Sequence, residues 1–340
     1  MSDDALIREM YASIGVNPHD LGGREDIARI EIHANRVLGV HLVPGLEVDA
    51  RSRADGIAAS IRVLRGAVIR RPVQVCFGMI PPDGVQRIEL EIDVEDEAQA
   101  GVVAHCTFPN AQRVRHEMDA VLRIGRGARY AYFERHVHGR QGGVVVAPRS
   151  KVHLAEGASY RTDFELIRGR VGRMEIDVEV SASARSACEV TAAVAGSGDD
   201  RLSIRETARL LGEYARGVLT TNIALRDDAQ AVVYNTLVAS AAHARGHVDC
   251  KEIVQGRAVA KAVPIVEVNH PKAHVTHEAA IGSVDSKQLE TLMSRGLDED
   301  EAVELIVQGL LGKGRIVEET PEPSGWIELA PGASGAAVGP

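Results

Sequence analysis

The sequence predicts a mainly β chain wound as a stacked solenoid, and three observations point there. First, two stretches alternate strictly. Ile88, Leu90, Ile92 and Val94 interleave with Glu89, Glu91, Asp93 and Glu95, and Met174, Ile176, Val178 and Val180 behave alike within RMEIDVEVS. A period of two gives a strand with one buried face and one wet face. Second, turn-like pieces recur behind short apolar strands: GRGA at 125–128, AEGAS at 155–159, ASARSA at 182–187, RDDAQA at 226–231 and QGRAVA at 255–260. Their spacing, roughly 25–40 residues, is that of solenoid repeats. Third, aromatic residues are only 3% of the chain, so Val, Ile, Leu and Ala must fill the interior. Such fillers suit stacked strands better than a helical bundle. No convincing helix lies between 120 and 282, which favours a solenoid over a sandwich; alternation alone fits both.

The elements follow in order. Residues 4–15 read as a short amphipathic helix with Leu6, Met10 and Ile14 on one face. Strands occupy the chain from about Gly23. Helices return at Ser286, where Leu289, Leu292 and Met293 form a stripe that ends at Gly296, a residue type favoured just past a helix. Asp298 and Glu301 have the spacing of a capping box. Ala302, Val303, Leu305, Ile306 and Leu310 follow, and the helix stops near Gly312. From about Val317 the chain is rich in Pro, Gly, Ser and Ala and reads as a disordered tail in which Trp326 is incidental. The expected organisation is a helical segment at 1–22, a β core at 23–283, a helical segment at 284–315 and a tail at 316–340.

With 39 basic against 48 acidic residues the net charge is −9, which argues against nucleic acid as a main partner. The N-terminus is polar and acidic rather than a signal sequence, and no apolar run approaches the roughly 20 residues that span a bilayer. The expectation is a cytoplasmic protein without membrane contact. Its four cysteines, Cys76, Cys106, Cys188 and Cys250, are then free thiols or metal ligands. GRGA and GSGD are turn chemistry, and neither a Walker nor a Rossmann glycine motif is present, so any ATP hydrolysis belongs to a partner.

Residues 246–312 carry most of the functional signal. Cys250 lies about one coil upstream of His277 and Glu278, and thiolate, imidazole and carboxylate together form an iron or zinc ligand set. Val248 shares strand parity with Cys250, and Val275 with His277, so both candidates point inward if apolar residues mark the inside. A buried cysteine is also commonly a small hydrophobe. Glu278 has the opposite parity, so a shared site requires a bulge, a turn or a dimer interface. Cys106, His116, His136 and His138 form a second candidate metal set. His136 and His138 share a strand face, and Gly139, Gly142 and Gly143 would let backbone approach a ligand. The alternative for these two histidines is a surface pair at the end of a coil. His243, His247, His270 and His274 read as surface residues, and the acidic strand faces as solvated exteriors.

Several of these segments resemble the SufB/SufD family of iron–sulfur cluster assembly proteins: GHVDC at 246–250, HEAAIG at 277–282 and QLETLMSRGLDEDEAVELIVQGLL at 288–311. HCTFPNAQRVRH at 105–116 and ERHVHG at 134–139 are fainter echoes. The resemblance implies a right-handed parallel β-helix core with short N-terminal and C-terminal helical segments. It implies a dimer with a second SufB/SufD-like chain, identical or not, and a SufC-like ABC-type ATPase as partner. That ATPase would dock on the C-terminal helices through Leu289, Leu292, Met293, Leu305, Ile306 and Leu310. Cys250 matches the family's cluster-assembly cysteine, and His277 and Glu278 match its His-Glu pair, so the expected cargo is iron and a transient iron–sulfur cluster. Thr276 stands where family scaffolds often carry a further glutamate, and the short N-terminal region marks a compact member. The expected role is an assembly scaffold rather than an enzyme. The rivals are a structural dimerisation partner without its own cluster and a β-helix carbohydrate-active enzyme with paired carboxylates, against which the low aromatic content speaks.

Overall fold

The computed structural model describes residues 2–16, 24–53 and 55–312. The tail expected at 316–340, and Trp326 with it, lies outside the described residues. Four short strands open the β region: β1 (Arg29–His33), β2 (Arg36–His41), β3 (Leu46–Ser52) and β4 (Ile57–Val63). β1 pairs with β2 and β3 with β4, both antiparallel. The coils follow: β5 (Val73–Gly78), β6 (Asp83–Val94), β7 (Gln99–Phe108), β8 (Arg113–Ile124), β9 (Arg129–His138), β10 (Val144–Leu154), β11 (Ser159–Arg168) and β12 (Gly172–Ala182). They continue through β13 (Ala187–Gly196), β14 (Arg201–Leu210), β15 (Arg216–Leu225), β16 (Gln230–Ala239), β17 (Arg245–Val254), β18 (Val259–Val268) and β19 (His274–Gly282). From β5 onward odd strands build one parallel sheet and even strands the other, so each coil contributes one strand to each face. This is a parallel β-solenoid, as the sequence predicts. The coil is more regular than the turn spacing suggests. Arg129 pairs with Ser159, Ser159 with Ala187 and Ala187 with Arg216, a repeat of 28 to 30 residues.

The recurrent turn pieces explain this regularity. Each turn places a residue in the left-handed region: Glu97 at φ 59°, Gly127 at 62°, Gly157 at 69°, Arg185 at 56°, Tyr214 at 61° and His243 at 60°. Outside glycine this conformation costs about 1–2 kcal/mol. Here the twisted residue turns its N–H onto the next coil: Gly127 donates to the Glu156 carbonyl at 3.0 Å, Arg185 to Glu213 at 2.8 Å and Tyr214 to Ala242 at 3.1 Å. The ladder therefore runs unbroken through the corners. A small buried residue follows each twist (Ala98, Ala128, Ala158, Ser186, Ala215 and Ala244), because a larger side chain would strike the same position one coil away.

Between the corners the alternation behaves as expected. Ile88, Leu90, Ile92 and Val94 are buried, and Glu89 and Glu91 are exposed. The acidic outer rows meet arginines of the next coil, as in Arg123–Asp93 at 3.3 Å and Arg209–Glu179 at 3.2 Å. Such exposed pairs contribute at most about 1 kcal/mol each.

Among the described residues three helices flank the core. Helix α1 (Asp3–Ser13) packs Leu6, Met10 and Tyr11 over Cys76 and Ile80. Helix α2 (Ser286–Met293) starts on Asp285, and α3 (Glu299–Leu311) starts on the expected Asp298–Glu301 capping box and ends at Gly312 with φ 74°. Val307 and Leu311 of α3 lie on Ala193 and Ala224, which face outward from β13 and β15. Helix α3 therefore lies on the solenoid's flank rather than over its end. At that end β18 and β19 expose Val259, Ile265, Val266, Val268 and Ile281. No helix among the described residues is long and apolar enough to cross a membrane.

Candidate functional site

Strand alternation fixes the environment of Cys250. In β17, Val248, Cys250 and Glu252 are buried on the inner face, while Asp249 and Lys251 pair on the outer face at 2.8 Å. Thr221 of β15 sits in register with Cys250. The Thr221 hydroxyl donates to Glu206 Oε2 at 2.9 Å, and Asn235 Nδ2 donates to the same oxygen at 3.0 Å. Glu252 is 2% exposed, and neither of its carboxylate oxygens has a hydrogen-bond partner. Burial, with Asp249 nearby, pushes Glu252 up to about 7. Burial likewise raises Glu206 to about 8, despite the two hydrogen bonds it accepts. The Cys250 thiol is pushed up to about 12, first by burial and then by Glu252, Glu206 and Asp249. A proton leaves such a thiol readily only when another cation takes its place.

His277 and Glu278 lie on β19, the last strand of its sheet. His277 pairs with Val248, and Ala279 rather than His277 stands opposite Cys250. His277 therefore follows the inner row two residues away, at the exposed end of the solenoid. Glu278 pairs with Asp249 on the outer row, where its charge acts on Lys251. Within one chain the three residues do not converge: Cys250 and His277 share a face, and Glu278 is on the other.

The upstream set is gathered more closely. Cys106 and His136 are in register on β7 and β9, and His116 reaches them from β8 in the opposite sheet. Cys106 Sγ lies 3.9 Å from His116 Nε2 and 3.5 Å from Glu134 Oε1, which is 2.7 Å from His136 Nε2. His116 is 0% exposed, His136 1% and His138 5%, so these histidines are interior and not a surface pair. His138 stands behind His136, with its Nε2 3.2 Å from His136 Nδ1. Burial pushes His116 down to about 3 and the Cys106 thiol well above its usual value. Phe108 and Phe164 close the site, with ring centroids 5.1 Å from His116 and 4.8 Å from His136 respectively. A narrow internal cavity of about 50 Å³ is lined by both Glu134 and Glu206.

Glu134 and Glu252 are absent from the expected ligand sets, yet each carried a readable signal. Glu134 shares parity with His136 and His138, and Glu252 with Val248 and Cys250. An acid in an inward row is the exception that alternation exposes. Glu206, Thr221 and Asn235 carry a weaker signal, because only the coil register brings them beside Cys250.

The apolar stripe on the C-terminal helices divides. Leu289, Leu292, Ile306 and Leu310 are half-buried, whereas Met293 and Leu305 are 42% and 47% exposed. The side of α3 that meets the solenoid uses Val307 and Leu311 instead.

Comparison with known proteins bears on the same regions. The family profile described as "SUF system FeS cluster assembly, SufBD core domain" matches residues 82–310, from β6 to the end of α3. An iron–sulfur cluster assembly SufBD family protein of Methanocaldococcus jannaschii is 36% identical over 284 residues, covering 84% of this chain and 90% of the relative. A second, from Pyrococcus horikoshii, is 32% identical over 310 residues, covering 91% and 94%. The iron–sulfur cluster assembly protein SufB of Bacillus subtilis is 23% identical over 263 residues, but they make up only 54% of that longer protein. Two relatives above 30% identity along nearly their whole length, with a profile match across the solenoid, establish that this chain belongs to the SufBD family of iron–sulfur cluster assembly proteins.

Proposed function

We propose that the chain is the scaffold on which a transient iron–sulfur cluster is built at Cys250, in a dimer that works with a SufC-like ABC-type ATPase. The observation that carries this reading is the inward row of β17. A buried thiol stands two residues from a buried carboxylate with two unpartnered oxygens, one strand from the end of the solenoid. Iron satisfies the orphaned oxygens of Glu252 and replaces the Cys250 proton, and thiolate softness favours a sulfide-bridged iron centre over a hard cation. Sulfur arrives as the outer sulfur of a donor protein's persulfide. The Cys250 proton is displaced to solvent as iron binds, in keeping with a thiol whose proton burial holds tightly. The Cys250 thiolate attacks the outer sulfur, a new S–S bond forms, and the donor's own thiolate leaves.

His277 completes or gates the site from the exposed strand. Glu278, on the outer row, contributes across a dimer contact rather than within its own chain. The exposed Met293 and Leu305, with Leu289, Leu292, Ile306 and Leu310 around them, form the docking element for the ATPase, which performs the ATP hydrolysis. The scaffold itself catalyses no turnover and resides in the cytoplasm.

Anaerobic reconstitution with iron and sulfide, followed by absorbance and iron quantitation, tests the assignment. Wild type is expected to develop a cluster chromophore that Cys250→Ser lacks, with the fold of the variant intact by circular dichroism. Unchanged cluster yield in Cys250→Ser overturns the assignment. A folded wild type that forms no cluster points to the structural-partner role.

A further inference from the structure

Cluster building at Cys250 makes no use of the four side chains gathered farther up the solenoid. One ligand atom from each of Cys106, His116, Glu134 and His136 lies within 4.8 Å of the other three, and all four residues are buried. Metal–ligand bonds of about 2.0–2.3 Å in a tetrahedron set ligand atoms roughly 3.3–3.8 Å apart. The separations of 3.5 and 3.9 Å around Cys106 Sγ are close to that edge, whereas Glu134 Oε1 and His136 Nε2, at 2.7 Å, stand at hydrogen-bond distance and would have to open to admit a shared ion.

The surrounding hydrogen bonds fix which ring nitrogens are free. Gln86 Nε2 donates to the carbonyls of Ala34 at 2.8 Å and Gly78 at 3.4 Å, which turns Gln86 Oε1 toward His116. His116 Nδ1, 2.8 Å from that oxygen, must therefore carry the hydrogen, leaving a lone pair on Nε2. A parallel chain runs from the Arg170 carbonyl. It accepts from His138 Nδ1 at 3.2 Å, so His138 Nε2 accepts from His136 Nδ1 at 3.2 Å. That leaves His136 Nε2 facing Glu134 Oε1 at 2.7 Å, lone pair against carboxylate oxygen. Something positive must be shared there, either a proton in a hydrogen bond, as the 2.7 Å separation has it, or a metal ion once the two atoms part. A proton on His136 would satisfy that single contact and leave the His116 lone pair with only the thiol. A metal ion satisfies all four donors, and both outer chains have the form of the contacts that orient metal-bound imidazoles.

We propose that Cys106, His116, Glu134 and His136 hold one four-coordinate divalent transition-metal ion, zinc or ferrous iron, sealed inside the solenoid. Two nitrogens, one sulfur and one oxygen suit ions of intermediate softness, whereas calcium and magnesium call for six or more oxygen-rich ligands. The ion ties β7 and β9 in one sheet to β8 in the other. Phe108 and Phe164 pack against the histidine rings and shield the site from water.

The test uses the full chain carrying Cys250→Ser, so that this thiol does not compete. The protein is unfolded with chelator and refolded with Co²⁺ alone. The expected result is about one cobalt retained per chain after gel filtration, with a thiolate-to-cobalt charge-transfer band. Adding Cys106→Ser is expected to remove the band. Where that variant does not refold, His136→Gln serves, and is expected to weaken cobalt retention by more than about tenfold. Zinc and iron content of the wild-type protein isolated from cells provides a reading without refolding, again expected near one ion per chain. A charge-transfer band that survives Cys106→Ser overturns the site. So does a refolded chain without cobalt whose native counterpart also lacks zinc and iron. Because the assay contains no sulfide, it is independent of cluster assembly at Cys250.

Discussion

Glu206 shows how far a single interior residue departs from its ordinary chemistry. Burial raises its carboxyl from 4.5 to about 8, even though Thr221 and Asn235 both donate to it. The folded state therefore binds a proton more tightly than the unfolded state does. The stability this protonation supports is fully present below about pH 4.5 and is lost as pH rises through about 8. Across that window the slope is about 1.4 kcal/mol per pH unit. Glu206→Gln removes the titration, so its melting temperature is expected to fall less than that of wild type between pH 5 and pH 8. Equal slopes in the two proteins would show that Glu206 is ionised in the fold. The sequence contained part of this chemistry. Inward parity marked Cys250, and the same parity marked Glu252 and Glu134. What one strand cannot show is which residue of the next coil stands beside it. The meeting of Cys250 with Thr221, or of Cys106 with His136, depends on a register of 28 to 30 residues that loosely spaced turns leave open.

At the scale of elements, the corners hold the register and the C-terminal helices are fixed at their caps. Gly157 and Gly169 separate two demands on a corner. Gly157 has φ 69°, and a Cβ there would meet nothing nearer than 3.8 Å, so Gly157→Ala bears only the left-handed cost of about 1–2 kcal/mol. Gly169 has φ 88°, and its Cβ would fall 2.1 Å from the His138 carbonyl oxygen. Gly169→Ala is therefore expected to lower the melting temperature markedly more than Gly157→Ala; similar losses would mean that the corner yields. The cap of α3 is a separate element-scale device. Asp298 accepts from Glu301 N at 2.8 Å, and the Glu301 side chain returns to Asp298 N at 3.1 Å. Asp298→Ala is expected to cost about 1 kcal/mol of local stability and to speed amide exchange at the start of α3 while leaving the solenoid strands unchanged. This helix was readable because its caps are local. The antiparallel pairs β1–β2 and β3–β4 carry no comparable local signal, since their partners are settled by the sheet edges they close.

The whole molecule is asymmetric along its axis. One end finishes in antiparallel strands with α1 packed alongside, whereas the other stops, among the described residues, at the parallel strands β18 and β19. A solenoid end that shows Val259, Ile265, Val266, Val268 and Ile281 to water is a template for pairing with another chain. Stacked repeats gain stability from nearest neighbours, and among the described residues the coil of β18 and β19 has such a neighbour on one side alone. The helices do not supply the cover, because α3 rests on β13 and β15. Two such ends meeting would bring Glu278 and His277 of one chain toward Cys250 of the other, which is how residues of opposite parity can serve one site. The double variant Val268→Lys with Ile281→Lys tests this arrangement. Both side chains are about half exposed, at 49% and 47%, so the substitutions leave the core of the single chain intact. Light scattering coupled to gel filtration is expected to show a dimer for wild type and a folded monomer for the variant, with cluster yield falling alongside. A variant that remains dimeric would place the contact elsewhere, and a monomer that still builds a full cluster would confine the site to one chain.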